Sequence, residues 1–328
     1  MWKKNKALYL FILFIILSFG THLFLVAMNP EGIQRDLYFG RTKDFFADFF
    51  NVVRYAADKN PFYLNEAGDP ERAYLPIAYL ILYPFSKLID YDNMRYLIAS
   101  LCILMTALAL ILSLKEYCNK WNIDKKCIIA IVISSIFLFS VERGNLILIV
   151  VPAVVLFMAW YDSDDRWKRI LAAIFLAFAA ALKVYPVIFG CLYLRKRKWK
   201  DAIMSGGICL GLVIFPFFFF EGGLSRISQL LVNVKLSSSV YGSPMNATDR
   251  FGYNYLVFRF LKGATNISDV NALAVAENVA RIILLFAILS IIIAVMVKEE
   301  FLAVLLLSMA VLYLPANSQF YCGVYLFP

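Results

Sequence analysis

RWKRILAAIFLAFAAALKVYPVIFGCLYLRKRKWK, residues 166–200, runs from one basic cluster to another through a long apolar stretch. Short loops rich in Lys and Arg stay on the cytoplasmic side of a membrane. Both ends of the stretch are therefore expected on that side, and the chain must turn back between them. Segments 168–183 and 184–194 read as an outgoing and a returning limb, with the hinge at Leu182-Lys183-Val184-Tyr185-Pro186 on the outer face. A charge at the bilayer centre costs ~2.5–3.5 kcal/mol on insertion scales. Lys183 must then snorkel to the outer headgroups or meet an anion. Its outer position runs against the cytoplasmic bias of basic residues, which favours a lipid phosphate as its partner.

The rest of the chain fits a membrane setting. Of its 328 residues, 62% are hydrophobic, against roughly 45–50% in soluble domains. Further apolar segments fall at about 8–27, 96–114, 127–141, 144–161, 202–220, 279–297 and 301–316, and another begins near 320. Several approach the ~20 residues that span a bilayer. The expected fold class is an all-α polytopic membrane protein, a single transmembrane domain over 1–328 with about ten membrane helices. The N-terminal WKKNK (2–6), KEYCNKWNIDKK (115–126), RWKR (166–169) and RKRKWK (195–200) place the N-terminus and these connectors in the cytoplasm. No small-residue cleavage site follows the first apolar run, so it reads as an uncleaved helix. Segment 74–89 is short and carries Pro76 and Pro84. It reads as a juxtamembrane or re-entrant element, because proline breaks helices. The chain stops at Pro328 inside a new apolar run, so a longer protein, C-terminally incomplete here, is expected.

Composition also excludes functions. The net charge of +9 sits in short connectors and is no nucleic-acid signature. Six cysteines show no disulfide or metal spacing, and the single histidine, His22, rules out a His-rich metal site. No phosphate-cradling glycine loop is present. The absence of an internal repeat argues against a transporter of duplicated halves.

Polar diversity gathers on the expected outer face, which receives the loop 28–95, the turn at 141–145, the hinge at 182–186, the loop 221–278 and residues 315–321. In DFFADFFNVVRYAA (44–57), Asp44 and Asp48 share one face of an amphipathic helix. Either carboxylate could act as a general base, or the pair is the solvated face of an interfacial helix. Glu142, Arg143 and Asn145 open the segment 144–161, where a helix N-terminus favours an anion. The alternative is a local Glu–Arg pair that caps the helix.

Taken in order, these motifs resemble glycosyltransferase family 87, multispanning enzymes of the GT-C type. The resemblance rests on Asp48-Phe49, Ala56-Ala57, Asn60-Pro61-Phe62-Tyr63, Tyr74-Leu75-Pro76, Glu142-Arg143-Gly144-Asn145, Lys183-Val184-Tyr185-Pro186 and Arg197-Lys198-Trp199. It covers about residues 40–200, with weaker matches at 253–261 and 314–328. Leu75 stands where the family usually has proline, and Phe62 interrupts a Pro-Tyr pair. The resemblance implies a GT-C-type fold with juxtamembrane helices in the loop 28–95. It also implies transfer with inversion of a hexosyl, mannosyl-like, or pentosyl residue from a polyprenyl-phosphate sugar to an extracytoplasmic glycan or lipid. Asp48 would be the catalytic base, with Asp44 the second choice. Lys183 and Arg143 would hold the donor phosphate, while Tyr185, Glu142 and Asn145 position groups around it. No cofactor is implied and no metal ligand is assigned. The expected location is a bacterial plasma membrane, with the active site outside. The competing readings are a lipid-linked sugar flippase and a non-catalytic subunit of a glycan-assembly complex.

Overall fold

A computed structural model of the protein describes residues 46–88, 95–132, 134–242, 258, 260–262, 267–314 and 320–326. Asp44, His22, the N-terminal apolar run and residues 315–319 lie outside them. The described residues are all-α: helices joined by short 3₁₀ segments, with no strand among them.

Helices α1 (Ala47–Ala56) and α2 (Pro76–Ser86) pack on each other ahead of the bundle. Pro76 sits at the start of α2, where its missing N–H would have no partner in any case. Next come α3 (Arg95–Trp121), α4 (Lys126–Val132), α5 (Ser135–Arg143), α6 (Ile147–Trp160) and α7 (Arg166–Leu182). The 3₁₀ segment Tyr185–Gly190 leads into α8 (Cys191–Arg195), then α9 (Trp199–Ile214), α10 (Ile227–Gly242), α11 (Asp269–Met296) and α12 (Glu300–Tyr313). A final 3₁₀ segment, Phe320–Leu326, packs against α5 and α12.

Three stretches are long and apolar enough to cross a membrane: Tyr96–Trp121, Trp199–Phe219 and Asp269–Met296. Shorter apolar helices are Pro76–Ser86, Ile147–Trp160 and Glu300–Tyr313. This is a membrane protein by these helices, although fewer spans are described than the ten expected. The expected span 127–141 is broken into α4 and α5. The expected loop 221–278 contains α10 and the first turns of α11.

Helix α6 is the centre. It is apolar on every side and buried from Ile147 to Ala159 apart from Ile149 and Leu156, which matches a helix surrounded by others. It packs on α3 and α7. Helix α7 offers Ala172, Ala173, Ala177, Ala179, Ala180 and Ala181 as buried small residues, which let neighbouring backbones approach. Ser205 of α9 donates to the Ala173 carbonyl at 3.0 Å across that contact.

One end of the bundle is tied by charge. Lys120 bonds Asp162 at 2.7 Å and Glu300 at 3.0 Å. Lys196 reaches the same two carboxylates at 3.6 and 2.7 Å. The result is a closed ring of alternating sign, built from the ends of α3, α6 and α8 and the start of α12. Arg195 adds hydrogen bonds to the carbonyls of Val297 and Lys298. The sequence reading treated these basic residues only as topology markers.

Helix lengths then set where the other end lies. At 1.5 Å per residue, α3 is about 40 Å long, α6 about 21 Å and α7 about 25 Å. A hydrocarbon core is ~30 Å thick. With the end of α6 held beside that of α3 by the ring, and α7 starting from the short connector after α6, both stop well short of the far end of α3.

Candidate functional site

The polar residues singled out in the sequence meet at the end opposite the ring. Asp48 lies in the first turn of α1. Its Oδ1 accepts from the Arg143 guanidinium at 2.5 Å, and its Oδ2 accepts from Asn145 Nδ2 at 2.6 Å. Asn145 Oδ1 in turn accepts from the Ile147 N–H at 3.0 Å, which turns the amide NH₂ toward the carboxylate. Asn145 is 1% exposed, so this orientation is fixed by burial as well.

The backbone explains the constellation. Helix α5 ends at Arg143, and Gly144 caps it with φ +60°. Left-handed glycine after a helix is a common stop signal. Here it places Arg143 and Asn145 on either side of one residue, each facing a different oxygen of Asp48. A Cβ at Gly144 would lie 3.0 Å from Phe49 Cβ and 3.2 Å from Phe46 Cα. The turn is therefore pressed directly onto α1. Phe46, also left-handed at φ 59°, donates its N–H to the Glu142 carbonyl at 2.8 Å. Such a conformation in a bulky residue is uncommon, and here it seats the start of α1 against the end of α5. The expectation that Glu142, Arg143 and Asn145 open the helix at 144 needs revision. Glu142 and Arg143 close α5, and α6 begins at Ile147. Arg143 forms an ion pair with Asp48, 95 residues away in the chain.

Replacing Gly144 by Ala is expected to destabilise by about 1–3 kcal/mol, since it adds left-handed strain to a close backbone contact. Gly206→Ala in α9, which meets nothing within 4 Å, is the control and should be neutral or slightly stabilising. Thermal unfolding in detergent measures both; equal midpoints for the two variants would contradict the packing described here.

Lys183 follows the last residue of α7. Its extended backbone (φ −141°, ψ 123°) ends the helix, and its N–H still donates to Ala179 O at 2.9 Å. The chain breaks where the sequence places the hinge: Tyr185 and Pro186 open the 3₁₀ segment that leads into α8. The Lys183 ammonium lies 5.9 Å from the Tyr74 ring centroid and feels the charge of Asp48. Tyr185 is half-buried, and Tyr74 interacts with it electrostatically.

Two residues join the site that the sequence reading did not assign. Tyr74 was noted only as part of a motif, and Cys322, on the final 3₁₀ segment, was set aside with the other cysteines. Cys322 is buried close to both Lys183 and Tyr185. Burial, followed by the charge of Asp48, pushes the Tyr74 hydroxyl well above the usual phenol range. Tyr74 is thus a protonated hydrogen-bond donor at neutral pH. Among the described residues, no group of three or more His, Cys, Asp or Glu side chains is placed to hold a metal ion.

Chemically, the site holds a carboxylate fixed by two donors. An ionised carboxylate has about four acceptor positions, so it retains capacity to take a proton from a hydroxyl. Across from it stands a lysine at a helix break, where an anion could sit. No curated protein and no solved structure matches the chain. A family-level comparison does match, over residues 73–316, with glycosyltransferase family 87. That span contains Tyr74, Glu142, Arg143, Asn145, Lys183 and Tyr185, while Asp48 lies ahead of it and reaches them through folding. Because the match covers most of the sequence, the chain belongs to glycosyltransferase family 87.

Proposed function

We propose that this membrane glycosyltransferase takes its sugar from a polyprenyl phosphate and passes it, with inversion, to an extracytoplasmic glycan or lipid. The observation that supports this most is the Asp48–Arg143–Asn145 constellation facing Lys183 at the end of the bundle away from the basic ring. Asp48 accepts the proton of the acceptor hydroxyl. The acceptor oxygen bonds to the anomeric carbon as the bond from that carbon to the phosphate oxygen breaks, and the lipid phosphate leaves with the electron pair. Lys183 stabilises the negative charge that grows on the phosphate, as preorganised cations do in other transfers. Arg143 bridges base and phosphate: its guanidinium carries five N–H donors, and one of its terminal nitrogens bonds Asp48. Asn145 orients the carboxylate, Tyr185 lies beside the lysine, and Glu142 fixes the turn through its carbonyl.

The basic ring and its connectors mark the cytoplasmic side by the loop-charge rule. The site then belongs outside, in a GT-C-type arrangement within a bacterial plasma membrane. A lipid-borne donor suits a pocket at the ends of short helices, since its headgroup is presented at the membrane.

Turnover of a panel of polyprenyl-phosphate sugars in detergent, with linkage analysis of the product, tests this reading. No transfer from any of them, alongside transfer from a nucleotide sugar, would overturn it. Within that assay, Lys183→Met should weaken donor use about 10–150-fold, which corresponds to the ~1.5–3 kcal/mol of a charged hydrogen bond. Lys183→Arg should restore only part, since a planar guanidinium does not substitute for a compact ammonium. Normal turnover by Lys183→Met would make Lys183 a membrane anchor instead.

A further inference from the structure

Tyr74 neighbours both chemical poles of the site, and its surroundings make it rigid. Its ring faces the Lys183 ammonium at 5.9 Å. Asp48, Arg143 and Tyr185 are its other electrostatic neighbours. The Tyr79 ring meets it edge-on at 6.4 Å. Two residues later Pro76 begins α2, so the backbone has little freedom on that side.

On the other side the chain is stitched down. Arg72 is buried, bonds Asp58 at 2.6 Å and Asp69 at 3.3 Å, and lies 4.4 Å from the Tyr55 ring centroid. Asn233 of α10 is fully buried. Its Nδ2 donates to the carbonyls of Phe62 and Arg72 at 2.7 and 3.1 Å. Its Oδ1 accepts from Asp69 N–H at 3.0 Å and Gln229 Nε2 at 3.2 Å. All four hydrogen-bonding positions of the amide are thus used. Gly68, at φ +86°, leaves no room for a Cβ against Asn233 Oδ1. Such a shell holds a functional side chain in one place.

We propose that Tyr74 is the sugar-facing residue of the donor site, packing its ring on the C–H face of the transferred sugar between Lys183 and Asp48. This rests on the polyprenyl-phosphate reading above. A phosphate held by Lys183 puts the attached sugar within one ring's width of the Tyr74 ring. A tyrosine has the right form for this, with an apolar body and a polar tip. The contact concerns the sugar and not the lipid phosphate, and so it predicts a difference between two ligands.

The probes are farnesyl-phosphoryl mannose and farnesyl phosphate without the sugar, with binding measured on the whole detergent-solubilised protein. Tyr74→Leu should weaken the sugar-bearing lipid about tenfold and leave farnesyl phosphate within roughly twofold of wild type. Tyr74→Phe, which keeps the ring and folds most readily, should bind both as wild type does. Lys183→Met should weaken both ligands together. If Tyr74→Leu binds the sugar-bearing lipid as wild type does, or weakens both ligands equally, the sugar contact is wrong and Tyr74 is only a packing residue. If Tyr74→Phe is as weak as Tyr74→Leu, the hydroxyl and not the ring makes the contact, and the proposal also falls. If wild type binds neither probe, the donor class itself has failed, which is a separate result.

Discussion

Asp48→Asn is expected to lower turnover by about 10²–10⁴-fold, the range a general base contributes. The substitution keeps the shape of the side chain and removes its ability to take a proton. It also turns one NH₂ toward a donor, because Arg143 and Asn145 each present an N–H to the present carboxylate. Donor binding should persist, since the phosphate contacts are assigned to Lys183 and Arg143, both of which the substitution keeps. Asp44→Asn, four residues earlier in the sequence, should do far less. The measurement is single-turnover rate and donor affinity, taken separately for both variants. An active Asp48→Asn with a dead Asp44→Asn would move the base to Asp44. Normal turnover in both would leave the enzyme without its proposed base.

Glu300→Gln is expected to give the largest loss of stability. Glu300 takes Lys120 at 3.0 Å and Lys196 at 2.7 Å, with Arg195 at 3.8 Å. Its side chain is only 15% exposed. Removing one partner of a buried ion pair strands the others, at about 3–5 kcal/mol. In a chain of this size the melting temperature should fall by about 5–10 °C. Turnover measured well below that melting point should stay close to wild type, because the ring lies at the end away from Asp48. Unchanged thermal stability would show that Asp162 alone holds the two lysines. A large drop in turnover without loss of stability would show that the ring communicates with the site.

The two ends were unequally legible in the sequence. The amphipathic pattern around Asp48 predicts a helix, and α1 is found at Ala47–Ala56. The break at Lys183 could be read because Pro186 and a lone charge interrupt an apolar run. The bond between Asp48 and Arg143 could not, since the two are 95 residues apart and no local periodicity joins them. Gly144 misled for a different reason. Its left-handed turn closes α5, whereas apolar continuity alone assigns Glu142 and Arg143 to the following segment. The ring at the basic end was hidden because Lys120 and Lys196 already had an explanation in loop charge. Their acidic partners, Asp162 and Glu300, come from separate connectors. Asn233 was passed over because 221–278 reads as a loop, and α10 becomes visible only once it packs against residues 62–72.

The short helices α6 and α7 act as rulers. With α6 fixed at one end by the ring, and α7 tied to the same end through Arg169 on the Ser163 and Asp164 carbonyls, each carries its cargo, Asn145 just ahead of α6 and Lys183 just beyond α7, to a height given by the number of residues in between. Every residue is worth 1.5 Å, so one added turn in each would lift base clamp and lysine together by about 5.4 Å. A turn added to α7 alone would slide Lys183 past Asp48 by that same distance, more than the length of any hydrogen bond in the site. The height of the site and the match between its two poles are thus both set by residue count.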